Sequence, residues 1–304
     1  MPKVHMPSIA PDRGSPDLTI LIPSSLTSET RDRRIKTYKV GQIARAASVF
    51  RVEKIIIYRD PQFDDSKFIN LLLRYAETPQ YLRKHLFGLR PELKHAGVLP
   101  PLRTLHHPIE SSSSNLNEGE FRVGVVVQGP QKQKSEKKVG SDTGAWVDIG
   151  IDSPVRLETP LRKVRTGERV NVRIFSRRPI QAKLVTEDEI PIYWGYRTAV
   201  EDSLSGALEK ISVEGALIIA TSHQGKLLDS TLLAQIGDCT KQSDNTVVVF
   251  GSPRQGIEAI LDKEGFKLSD FHCQVLNTIP EQGTATVRTE EAVWATLSIL
   301  NLVR

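Results

Sequence analysis

Four short, unbroken apolar runs limit this chain more than anything else in it: LTILI at 18–22, KIIIY at 54–58, ALIIA at 216–220 and VVVF at 247–250. A strand covered on both faces reads as such a run, whereas a strand with one wetted face alternates. Between the runs the spacing turns helical, with Ile35, Tyr38, Ile43, Ala46 and Val49 in 30–50, then Phe68, Leu71, Leu72 and Tyr75, then Val200, Leu204, Leu208 and Ile211. Further helices are expected at about 227–236, 255–261 and from 290 onward, with one more strand at FHCQVL, 271–276. Strands alternating with helices predict an α/β fold built on a doubly wound parallel sheet.

The stretch 121–186 breaks that rhythm. FRVGVVVQG, GAWVDIG, SPVRLE, ERVNVRIFS and IQAKLV alternate partially and are separated by turns, which predicts a small antiparallel β-barrel of oligonucleotide-binding (OB) type, with a chromo-like or SH3-like barrel as the alternative. SSSSNLNEG at 111–119 is the polar linker into it. The expected organisation is a disordered lead-in at 1–16, a discontinuous α/β domain at 17–110 and 187–304, and an inserted OB-like barrel at 111–186. QKQKSEKK, between the first two barrel strands, puts Lys132 and Lys134 where they either contact RNA phosphates or sit on a solvated hairpin loop.

Charge and cysteine usage narrow the function. The net charge of +5 favours a polyanionic partner. Cys239 and Cys273 make neither a disulfide framework nor a metal-ligand spacing, so no metal is expected and a reducing setting, nuclear, nucleolar or cytoplasmic, is. No apolar run approaches the roughly 18 residues of a membrane span, so no membrane partner is expected. Arg31, Arg33 and Arg34 crowd the start of the 30–50 helix, the end at which the helix dipole disfavours cations. With Arg45, Arg83 and Lys84 they form the best basic surface for RNA, although each alone reads as a solvated helix face.

Three strand ends carry a sharper signal. ALIIA runs into TSHQG at 221–225, VVVF into GSPRQG at 251–256, and FHCQVL into NTIPEQGT at 277–284. Open α/β sheets bind ligands at the carboxyl ends of their strands, and glycine lets the backbone approach a ligand closely. Neither G-x-G-x-x-G nor G-x-x-x-x-G-K-[ST] occurs, which disfavours dinucleotides and nucleoside triphosphates. What is left is a pocket for a small amphipathic ligand with a purine-like face, walled by Phe250, Pro253 and Ile279.

QIARA (42–46), RYAETPQYLRK (74–84), YWGYR (193–197), VVVFGSPRQGIEA (247–259) and NTIPEQGTATVRTEEAVWATL (277–297) together resemble the SPOUT-class RNA methyltransferases. The resemblance is to the branch of uridine N3-methyltransferases with an OB-like barrel inserted in the catalytic domain, and it spans nearly everything from Leu18 onward. It implies a C-terminal trefoil knot, S-adenosylmethionine as cofactor, and ribosomal RNA or its precursor as substrate. It places cofactor contacts at Thr221, Ser222 and Gly225, at Phe250, Gly251 and Gly256, and at Asn277, Ile279, Gln282, Gly283 and Thr284. It also implies a homodimer or heterodimer, for which the helix from 290, with Val293, Leu297 and Leu300, is the candidate contact.

Arg288 and Glu290 are the catalytic candidates, the arginine to hold a uracil carbonyl or a phosphate and the glutamate to orient it or the cofactor. Read locally, the same residues start a helix. The resemblance implies a first cofactor loop similar to Gly-Thr-Ser-Glu-Arg-Gly, where this chain has Ala220-Thr221-Ser222-His223-Gln224-Gly225. That departure motivates the alternative, a non-catalytic SPOUT-fold RNA-binding factor in ribosome assembly, possible as half of a heterodimer. His223 is the replacement base if the chain is an enzyme.

Overall fold

A computed structural model of the chain describes residues 17–129, 145–158 and 162–304, so Lys132, Lys134 and the lead-in at 1–16 lie outside the described residues. The elements follow in the order β1 (Asp17–Pro23), α1 (Arg33–Val49), β2 (Lys54–Tyr58), α2 (Ser66–Glu77), α3 (Gln80–Phe87), β3 (Phe121–Val127), β4 (Trp146–Asp148), β5 (Val155–Leu157), β6 (Arg169–Arg177) and β7 (Ile180–Val185). Then come β8 (Arg197–Glu201), α4 (Leu204–Val213), β9 (Leu217–Leu227), α5 (Ser230–Gln242), β10 (Asn245–Val249), α6 (Ile257–Glu264), β11 (Gln274–Asn277) and α7 (Thr289–Leu300). They form two compact units, one made of 17–77, 91–102 and 195–304, the other of 78–90 and 103–194.

In the first unit six strands make one sheet in the order β11-β9-β10-β1-β2-β8, and every pair is parallel. Side chains alternate across it, as strand geometry requires. Leu18, Ile20 and Ile22 of β1 enter a layer with residues of α1, α2, α5 and α7, while Leu21 joins Ile56, Val247 and Val249 against α4 and α6. Both faces are covered, which is why the strand sequences read as unbroken apolar runs.

Three expectations are corrected here. Val200 belongs to the edge strand β8 and not to the helix that follows. The residues of α1 that pack are Val40, Ile43, Ala44, Ala46 and Ala47, whereas Ile35, Tyr38 and Val49 are 48%, 53% and 44% exposed. The helix is seated on small residues: a Cβ at Gly41 would lie 2.6 Å from Pro100 Cδ, a contact only glycine permits. Finally, Val293, Leu297 and Leu300 are buried in the core of their own unit, so they are not available to a second chain.

The TSHQG segment is not a turn after a strand. β9 runs on to Leu227, and its pairing with β11 jumps from Ala220↔Val275 to Lys226↔Leu276, so that 221–225 bulge out of the ladder. Gly225 is required where the bulge closes, since a Cβ there would come within 2.6 Å of the Leu276 carbonyl carbon.

The second unit contains a closed barrel in the order β3-β4-β5-β7-β6, antiparallel throughout except for the β5–β7 pair. That is a five-stranded Greek key of OB type, and it decides against the chromo-like and SH3-like alternatives. Val147, Val155, Leu157, Val172, Ile174 and Ala182 fill its interior. α3 belongs to this unit: Leu82 packs with Val123, Val125 and Trp194, and the Tyr81 hydroxyl donates to Val123 O at 2.7 Å.

Candidate active site

β9, β10 and β11 lie side by side and point the same way, so the loops leaving β10 and β11 converge with the 221–225 bulge of β9, and a cavity of about 260 Å³ opens there. Of the residues expected around a cofactor, Thr221, Ser222, Phe250, Gly251, Gly256, Asn277, Ile279 and Gln282 line it. Gly225, Gly283 and Thr284 do not line it. Gly225 lies under the bulge, and Thr284 shapes the last loop, its hydroxyl donating to Thr286 O at 3.0 Å and its carbonyl accepting from Gln282 Nε2 at 2.9 Å. His223, the candidate base, lines the cavity too, and so do Ser252, Arg254, Gln255, Thr278, Ala285, Thr286, Val287, Thr289 and Ala292, which sequence patterns did not single out. Most of them complete the same three loops; Thr289 and Ala292 come from the first turn of α7.

Buried side chains fix the loops to one another. Asn277 donates through Nδ2 to His223 O at 3.0 Å and accepts the Ile279 N–H at Oδ1, also at 3.0 Å, which ties the β9 bulge to the loop after β11. The Thr221 hydroxyl donates to Val249 O at 2.9 Å, and the Thr289 hydroxyl to Gly251 O at 3.4 Å. Within GSPRQG, the Ser252 N–H donates to Gln255 O at 3.0 Å and the Ser252 hydroxyl accepts the Gln255 N–H at 3.1 Å.

This loop is also anchored from β2 and the residues just after it. The Tyr58 hydroxyl donates to Phe250 O at 2.6 Å; burial, reinforced by the neighbouring Asp60 and Glu264 carboxylates, holds its pKa well above the ordinary phenol value, so it remains a donor. Asp60, 2% exposed, accepts from the Ser25 hydroxyl at 2.5 Å and the Gln62 N–H at 3.0 Å, and its two oxygens lie 3.2 and 3.3 Å from Gln255 Nε2. Gln255 in turn accepts at Oε1 from Lys263.

Arg288 and Glu290 stand next to the cavity in sequence, but neither lines it. Arg288 is the residue at the helix start, its N–H donating to Glu291 Oε2 at 3.0 Å while its exposed guanidinium lies 3.7 Å from Glu291. Glu290 is buried, with Oε1 3.3 Å from Lys39 Nζ on α1.

The basic residues are distributed unevenly. Arg31, Arg33 and Arg34 are exposed at the start of α1, where the Asp32 carboxylate accepts the Arg34 N–H at 2.7 Å and caps the helix. Arg45 is turned inward, its guanidinium donating to Leu102 O and tethering α1 to the 91–102 segment. Arg83 and Lys84 belong to the other unit; Arg83 Nε donates to Thr78 O at 3.0 Å, and Lys84 is exposed. Among the described residues, no group of three or more His, Cys, Asp or Glu is arranged to hold a metal, and no helix is long and apolar enough to cross a membrane.

The lining suits an amphipathic ligand. Phe250, Pro253, Ile279, Val287 and Ala292 supply apolar surface, and Thr221, Ser222, Asn277 and Thr286 supply hydrogen-bonding groups. Gly256 forms part of the wall, and a Cβ there would meet no protein atom within 4 Å, so bare backbone faces open space. These are the features of a cradle for a nucleoside-like group.

The chain therefore combines a parallel sheet, with a cavity beside β9, β10 and β11, and an OB-like barrel in the sequence between β2 and β8. The chain belongs to the RNA methyltransferase family whose model, described as "Putative RNA methyltransferase", matches residues 17–300. Among its relatives is an uncharacterized protein of Haloarcula marismortui, 38% identical over 303 residues that cover 93% of this chain and 98% of that one. The 28S rRNA (uridine-N(3))-methyltransferase of Homo sapiens is 30% identical over 325 residues, covering 95% of this chain and 79% of the human protein. Family membership makes RNA the acceptor and requires a methyl donor.

Proposed function

We propose that this protein transfers a methyl group from S-adenosylmethionine to N3 of a uridine in ribosomal RNA, and that it works as a dimer in the nucleolus or cytoplasm. The observation that carries the proposal is the convergence of the β9 bulge and the loops after β10 and β11 on one cavity with glycine backbone in its wall. The name of the human relative supports the uridine and the ribosomal RNA. The dimer is supported by the outward row of Ile35, Tyr38 and Val49 on α1, apolar surface that a second copy would cover. The C-terminal trefoil knot belongs to the same proposal.

When bound, S-adenosylmethionine supplies an electrophilic methyl on a sulfonium. The remaining work falls to the chain: Phe250, Pro253 and Ile279 give a purine its apolar contacts, and the hydroxyls of Thr221, Ser222 and Thr286 give its sugar and polar edge their partners. Arg254 in the lining and Arg288 beside it are placed to hold a phosphate or a uracil carbonyl. The N3 proton must leave as the new bond forms, and His223 is the imidazole in the lining that would accept it. Positioning does the rest, because an in-line approach within a shaped cavity replaces a chance encounter.

The second reading, a non-catalytic RNA-binding factor in ribosome assembly, is favoured by the placement of Arg288 and Glu290 off the cavity and by His223-Gln224 in place of an acid–base pair. One experiment separates the two. The full-length chain is titrated calorimetrically with S-adenosylmethionine, its mass in solution is determined, and labelled methyl transfer to ribosomal RNA is followed for wild type and His223→Ala. Micromolar binding by a dimer is expected, with transfer reduced about a hundredfold in His223→Ala and donor affinity unchanged. Absence of binding, or binding only once a second protein is added, establishes the assembly factor instead.

A further inference from the structure

The barrel unit carries a second cavity, of about 380 Å³, flanked by the β4–β5 and β6–β7 turns. A row of cross-strand neighbours runs along it: Trp146 of β4 stands opposite Arg156 of β5, and Arg156 opposite Gln181 of β7. Val147, Val155, Leu157 and Ala182, adjacent to them in sequence, point into the barrel core, so the alternation of strands directs the row outward. Trp146 is held in place. Gly129 lies so close to the indole that a Cβ would come within 2.5 Å of its Cδ1 and Nε1.

The chemistry of this face is that of a single-stranded nucleic acid site. An indole fixed on a strand offers a flat surface on which any base can stack, and Pro154, Pro179 and Ile180 give apolar edges around it. Arg156 and, in the β6–β7 turn, Arg178 are exposed cations, and none of the nine described lining residues is acidic. Phe175, 39% exposed at the irregularity of β6, adds a second aromatic near the same turn. A paired base is already stacked between its neighbours and cannot reach such a surface, which selects unpaired strands over duplex.

We propose that this face of the barrel binds an unpaired segment of RNA, with a base stacked on Trp146 and phosphates paired to Arg156 and Arg178. The proposal rests on the RNA acceptor of the function proposed above, but it does not depend on the donor cavity. Fluorescence anisotropy of the full-length protein tests it with a short labelled oligouridine and an RNA hairpin duplex of similar length. Trp146→Ala is expected to weaken oligouridine binding about tenfold, with most of it kept in Trp146→Phe, which preserves a stacking surface. Arg156→Glu, a charge reversal at an exposed position, weakens it comparably and makes it less salt-dependent. Duplex binding and the S-adenosylmethionine titration stay at wild-type values in all three variants. Unchanged oligouridine affinity in both Trp146→Ala and Arg156→Glu overturns the proposal, and so does an equal loss on duplex, or a wild-type protein that ignores oligouridine. Failure to bind S-adenosylmethionine bears on the donor cavity alone and leaves this face standing.

Discussion

Gly256→Val is expected to abolish binding of S-adenosylmethionine while leaving the fold intact. Gly256 has φ −70° and ψ 169°, an extended conformation open to any residue, so valine brings no backbone strain. Its Cβ would meet no protein atom within 4 Å, and the residue lines the cavity, so the added branched side chain takes up room a ligand needs. In a cavity of about 260 Å³ the loss is large; a hundredfold fall in affinity, about 2.7 kcal/mol, is the minimum expected, with the thermal midpoint nearly unchanged. The other two loop glycines behave differently. A Cβ at Gly251 lies 3.3 Å from Gln255 O, so valine there lowers both affinity and stability; at Gly225 it lies 2.6 Å from backbone of β11, so valine there threatens the fold itself. Calorimetry and a thermal melt on the three variants separate ligand contact from loop packing. Wild-type affinity in Gly256→Val would remove this cavity from consideration as the donor site.

Much of the fold was legible because its signals are local. Strands covered on both faces have to be continuously apolar, and β1, β2, β9 and β10 announced themselves in that way. In the barrel, β5 and β6 alternate for the complementary reason, one face in the core and one in solvent, whereas β3 is buried on both faces, its Val123 and Val125 packing with Leu82 and Trp194. α1 was misread because two faces of it have helical spacing. Ile35, Tyr38 and Val49 share helical spacing with Ile43 and Ala46, yet only the latter two pack, on a face completed by Val40, Ala44, Ala47 and Gly41, where small residues allow close approach. β8 was missed because an edge strand of partly buried residues, RTAVE, carries no unbroken run and leads directly into α4.

The candidate site was legible to the same degree and for the same reason. Residues in the three loops follow from the rule that ligands bind beyond strand carboxyl ends, a rule about sequence neighbours. Thr289 and Ala292 were not reached by it, since a helix start becomes a cavity wall only through tertiary packing. Arg288 and Glu290 looked functional from their position after the last loop, whereas the helical turn between them sends one guanidinium to solvent and one carboxylate to Lys39. Asp60 left no trace in the sequence pattern, because its partner Gln255 is 195 residues away.

That separation makes Asp60→Ala the second variant with a large expected effect. The Asp60 carboxylate gathers the Ser25 hydroxyl, the Gln62 N–H and the Gln255 amide around one buried point. Gln255 cannot simply turn to another partner, because its carbonyl oxygen is held by Lys263 and its amide nitrogen therefore faces Asp60. Alanine leaves these donors unmatched beside a small void, so a loss of about 3 kcal/mol is expected, read as a shift in the urea midpoint at constant slope. Donor affinity falls as well, since the loop that Gln255 anchors contains Gly251 and Gly256 and forms one wall of the cavity. Asp60→Asn keeps one acceptor and the shape, and about 1 kcal/mol of loss is expected there. The decisive comparison adds Lys263→Met, which frees Gln255 to rotate. In that background Asn at position 60 regains a matched amide pair, so the double variant should cost less than the sum of the two single changes. Strict additivity would mean that the GSPRQG loop is held without the Gln255–Asp60 contact and that Asp60 stabilises the fold without reaching the cavity.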